Sequence, residues 1–112
     1  MTKYLISFPA EAMVLTEDEF VQAGIDSHAV IAEAQAAGVY VFAGGIHEGI
    51  APVLVPAEGP VTPGTHPGSR LTGGFTVLEL PTRAAAEDWA RKLAAACRCP
   101  QELRAFMDDP LS

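Results

Sequence analysis

The side chains of this 112-residue sequence best suited to acid–base or ligand chemistry are its three histidines, His28, His47 and His66. His28 follows Asp26-Ser27, a pair of residue types that start helices. The reading therefore places it in the first turn of a helix. There the positive helix end disfavours imidazolium and leaves a neutral ring able to accept a proton or a ligand hydrogen bond. Asp26 would oppose that effect, and a helix-start histidine bonded to the backbone is the plainer alternative. His66 stands in a loop rich in proline and glycine, Thr62 to Gly68, where binding groups often reside. His47 follows Gly44-Gly45-Ile46 and precedes Glu48, so it reaches either a shared pocket or an exposed turn. Arg70 is the basic residue nearest His66 and would suit a polar or anionic ligand. Short metal-ligand spacing is absent from the histidines, so the sequence predicts no metal and no other cofactor.

Cys97 and Cys99 are the full cysteine complement. One residue apart, they are poorly placed for an unstrained disulfide, and the spacing is not CxxC. Reduced thiols packed at a helix end and a strand start are expected, in a cytoplasmic setting. Gly44-Gly45 and Gly73-Gly74 lack the spacing of phosphate loops. They suit a close backbone approach or a bulge. No nucleophile-elbow motif occurs.

The elements that must position these residues follow from pattern. Lys3 to Phe8 reads as a strand with Tyr4, Ile6 and Phe8 on one face and Leu5 and Ser7 on the other. Thr16-Glu17-Asp18-Glu19 is a capping box that opens a short helix, which Gly24 ends. A second helix runs from His28 to Ala37 and stops at Gly38. Val39 to Phe42, apolar on both faces, reads as a buried central strand. Pro52 to Val55 and Pro60 to Thr62 make a weak hairpin, its prolines confining it to an edge. Gly74 to Leu80 is a strand, and Thr82 caps a helix from Arg83 to about Ala96. Its Ala85, Trp89 and Leu93 form an apolar stripe. Glu102 to Met107 is the last strand. The fold class is α+β, a ferredoxin-like βαββαβ order with an inserted hairpin, in one domain over residues 1–112.

Fourteen acidic and seven basic side chains give a formal charge of −7. Without a cluster of Lys and Arg, nucleic acid and acidic membrane surfaces are disfavoured as partners. No apolar stretch reaches membrane-spanning length, and the N-terminus reads straight into a strand rather than a signal peptide. Hydrophobic residues are 49% of the chain, enough for a core, and one sheet face is left over. Pairing of that face with a second copy is expected.

Three stretches resemble the YCII-related (DGPF-domain) family. Gly38 to Gly45 is similar to its "AGVYVFGGG" strand, and Gly73 to Leu78 to its "GGFTVL" strand. Trp89 to Arg104 resembles the "WAAKIAAACRCAQEVR" ending of one branch. The resemblance implies a homodimeric ferredoxin-like α/β barrel and a site built on a histidine, matched here by His28, with an acidic residue. The acid does not carry over: against "TDGPYPETK" this chain has Pro63 at the aspartate and Gly68 at the glutamate. Gly64 and Arg70 persist, and His66 takes the aromatic position. Two functions follow as expectations. One is binding of a small polar or anionic molecule near His28, with His66, Arg70 and His47 as ligand-binding candidates and weak or no catalysis. The other, implied by relatives found beside sigma factors, is a non-catalytic protein-interaction module linked to transcription.

Overall fold

The structure is a computed structural model that describes residues 1–111. Four strands build its main sheet: β1 (Thr2–Phe8), β2 (Tyr40–Gly45), β5 (Gly74–Leu80) and β6 (Glu102–Ala105). Their order across the sheet is β2-β5-β1-β6, and every neighbouring pair is antiparallel. Two helices, α1 (Glu17–Ala36) and α2 (Arg83–Cys97), complete a βαββαβ chain compatible with a ferredoxin-like fold. The sheet is open and closes no barrel within one chain. β3 (Val53–Leu54) and β4 (Thr62–Pro63) pair as a separate ribbon, the expected hairpin with its second arm shifted by about a residue.

The alternation in β1 and β5 sets the core. Tyr4 and Ile6 of β1 and Leu78 and Leu80 of β5 are buried on the face that carries the helices. Against them pack Val30 and Ala34 of α1 and Ala86, Ala90 and Leu93 of α2. Small alanines let α2 lie close to the strands. The buried stripe of α2 is thereby rotated from the expected one, with Ala85 and Trp89 only partly buried. Lys92 caps the exposed side of Trp89, its Nζ 5.2 Å from the ring centroid.

Local signals hold at most helix ends. Thr16 and Glu19 form the reciprocal capping box, with hydrogen bonds of 3.3 and 3.1 Å. The Thr82 hydroxyl accepts the Ala85 N–H at 3.1 Å. Gly38, at φ +74°, stops α1.

Two expectations are corrected. Gly24 does not end a helix: α1 continues through it to Ala36 in a single run of 20 residues. The reason is tertiary. Ala23, Val30 and Ala34 are one continuous buried stripe, and breaking it would expose half of it. A glycine in a helix interior costs only about 1 kcal/mol. The second correction concerns β2, which pairs only with β5 and is an edge strand rather than a central one. Its apolar run is not buried on both faces, since Val41 and Phe42 are exposed. The register also shifts between Tyr40 and Phe42, leaving Val41 in a bulge.

Candidate functional site

A cleft of about 390 Å³ opens between α1, the C-terminal end of α2 and the sheet. α1 supplies Ser27, His28 and Ile31, and β2 supplies Tyr40 and its glycines Gly44 and Gly45. Thr76 of β5 and Cys97 of α2 complete the polar part of the wall. Because β2 is glycine-rich here, its backbone lies open to the cleft with little side-chain cover. His28 lines this concave surface. It stands in the interior of α1, well past the first turn, so the helix-end argument for a neutral ring does not apply to it.

The other site candidates do not gather around it. Arg70 lies on the opposite side of the sheet, in a separate hollow with Leu5, Ser7 and Arg104. There its guanidinium pairs with Glu11 at 2.9 Å. His66 stays in its exposed loop, where its carbonyl oxygen accepts the Ser69 N–H at 3.0 Å. The ring of His47 is used locally: Nδ1 accepts the Gly49 N–H at 3.1 Å in an exposed turn. Neither His66 nor His47 lines the His28 cleft.

Asp26 is not a cap. Its carboxylate accepts from Gln22 Nε2 and from Arg98 Nη2, each at 2.9 Å. The Gln22 hydrogen bond and then the Arg98 guanidinium hold its pKa below the ordinary carboxylate range. It is not among the residues that line the cleft. Arg98 is placed for this contact by a left-handed backbone, φ 58°, which ends α2.

Both cysteines are free and buried. Burial pushes the Cys97 thiol up to about 11; the nearby Cys99 adds to this and Arg98 opposes it. A thiol held protonated in this way is a weak nucleophile at neutral pH. No carboxylate lines the cleft, so no acid orients His28 or stabilises its protonated form. Among the described residues no group of three His, Cys, Asp or Glu side chains is arranged to hold a metal ion. Nor is any described helix long and apolar enough to cross a membrane.

Sequence reasoning missed Ser27, Tyr40 and Thr76 as site residues. Alternation was the signal for Thr76 alone, a polar residue on the inward face of β5, between glycine and leucine positions. No protein-family model matches the chain, and no curated protein matches it.

Proposed function

We propose that this chain is a YCII-related protein of the cytoplasm that acts as a homodimeric small-molecule-binding domain with weak or no turnover. The observation that carries the reading is the cleft itself, a concavity of about 390 Å³ that brings His28, Tyr40 and Thr76 together from three elements. Such a volume fits a small organic ligand, with a few polar groups set in a largely apolar wall. The missing acid and the protonated Cys97 thiol support binding over catalysis. With Arg70 on the far side of the sheet, the cleft holds no cationic anchor, so a neutral polar ligand suits it better than an anion.

The dimer is supported by the sheet face turned away from the helices. Leu5, Phe75 and Val77 are only half-buried there, and Phe42 is 58% exposed. Ion pairs border this apolar centre, Lys3–Glu79 at 3.2 Å and Arg104–Glu102 at 2.8 Å. A second copy laid on that face would bury it and form the two-sheet barrel. A second reading is a non-catalytic protein-interaction module, which the family resemblance would link to transcription; Val21 and Ile25, exposed together on α1, favour only its interaction surface.

A thermal-shift screen of small polar molecules against the wild type and His28→Ala tests the main reading. His28 is exposed, so its truncation should leave folding intact. Hits whose stabilisation shrinks in His28→Ala are expected. Equal shifts for every hit in both proteins would remove the cleft from consideration.

A further inference from the structure

The His28 cleft does not end at its glycine wall. Phe8, Gly45 and Gly74 border it and also border a second hollow of about 520 Å³. The second hollow is of different character. Met13 from the segment before α1, Phe20 from the first turns of α1, and Ile46 after β2 line it, with Glu48 as the polar group. Phe20 is 63% exposed and Ile46 46% exposed, unusual for large apolar side chains that converge on one concavity. Apart from His28, Glu48 is the one ionisable carboxylate or basic side chain in the two walls. No ion pair among the described residues engages it.

We infer that the two hollows form one groove whose ligand is an amphipathic amine, with its apolar body over Phe8 and Phe20 and its ammonium at Glu48. This deepens the small-molecule reading above and rests on it. Three observations select the chemistry. The shared wall is glycine and phenylalanine, which offers flat apolar contact but no side-chain donor to hold an anion. The Glu48 carboxylate, itself exposed, is the charged group of an otherwise apolar hollow, where a bound ligand would displace water and strengthen its attraction for a cation. The exposed Phe20 ring adds a face for that cation, and the net charge of −7 raises the local concentration of cations over anions. The polar end of the ligand then meets His28, Tyr40 and Thr76 in the first hollow.

Three probes of equal length isolate the charge: 4-phenylbutylamine, 4-phenylbutanol and 4-phenylbutyrate. Each is titrated into wild type and Glu48→Gln while backbone amide signals are followed by NMR. The amine should shift the Gly45, Gly74 and Glu48 amides and bind about fivefold tighter than the alcohol, the effect of a partly exposed charge pair. The butyrate should bind weakest. Glu48→Gln should bring the amine to the level of the alcohol and leave the alcohol unchanged. Equal binding of amine and alcohol to wild type, or an amine preference that survives Glu48→Gln, overturns the amine assignment and leaves the His28 cleft standing. Failure of all three probes to shift any amide of the two hollows overturns the groove, whereas the screen with His28→Ala decides the cleft.

Discussion

A methyl group added at Gly73 would sit 2.0 Å from the carbonyl oxygen of Phe8 and 2.9 Å from the Ala10 nitrogen. The residue also holds φ at +77°. Both problems are backbone against backbone, so no rotamer relieves them. Gly73→Ala should cost about 3 kcal/mol or more in a denaturant titration, or prevent folding. Gly59→Ala is the control: φ is +95° there, but the space is open, and a loss of about 1 kcal/mol is expected. At Cys97 the effect is one of pH. Its thiol, ordinarily 9.0, is raised to about 11 in the folded protein. Above about pH 9 the unfolded chain gives up a proton that the folded chain keeps. The stability tied to Cys97 is therefore complete below that pH and is lost as pH rises toward 11. The thermal midpoint followed by circular dichroism should fall more steeply over this window in wild type than in Cys97→Ser. Equal slopes would assign the loss to other groups.

At the scale of elements, α1 offers a direct test of its own continuity. An added Cβ at Gly24 meets nothing within 4 Å, and the residue has no positive φ. Gly24→Ala should therefore stabilise the protein by about 0.5–1 kcal/mol. Were Gly24 the left-handed terminator that its sequence context suggests, the same change would destabilise. The contrast shows what could be read from residues alone. The Thr16–Glu19 box, the Thr82 cap, the Gly38 stop and the two faces of β1 are local in origin, and all were legible. The fate of Gly24 depends on Val30 and Ala34 meeting the sheet, a long-range event outside any window around it. The same holds for β2: an apolar run cannot say whether a strand lies at the centre or the edge of a sheet. His28 was legible as a candidate, whereas Tyr40 and Thr76 reach it only through the pairing of β2 with β5. Arg70 was misassigned because proximity in sequence to His66 carries no information about which side of the sheet a loop returns on.

The whole molecule is a slab, with extents of 45 × 41 × 21 Å. Its radius of gyration, 15.7 Å, exceeds the roughly 13 Å of a compact chain of this length. Two layers account for the thinness, and the proposed dimer would set a second two-layer copy against the bare sheet face. Light scattering at micromolar concentration should give a dimeric mass for wild type. Phe42→Asp places a charge beside Val77 on the exposed apolar part of the bare face and should give a monomeric mass with unchanged far-ultraviolet circular dichroism. A monomeric wild type would end the dimer proposal. The bulge at Val41 then has a consequence for behaviour in crowded solution. The free rim of β2 is the place where a stray strand from another chain could dock and start a fibril, and a flat, hydrophobic rim would invite it. With Val41 out of register, the row of N–H and C=O groups along that rim is interrupted. The opposite rim, β6, carries Glu102 and Arg104, which tolerate dehydration poorly. One irregular residue and one pair of charges thus blunt both rims of the sheet against endless polymer growth.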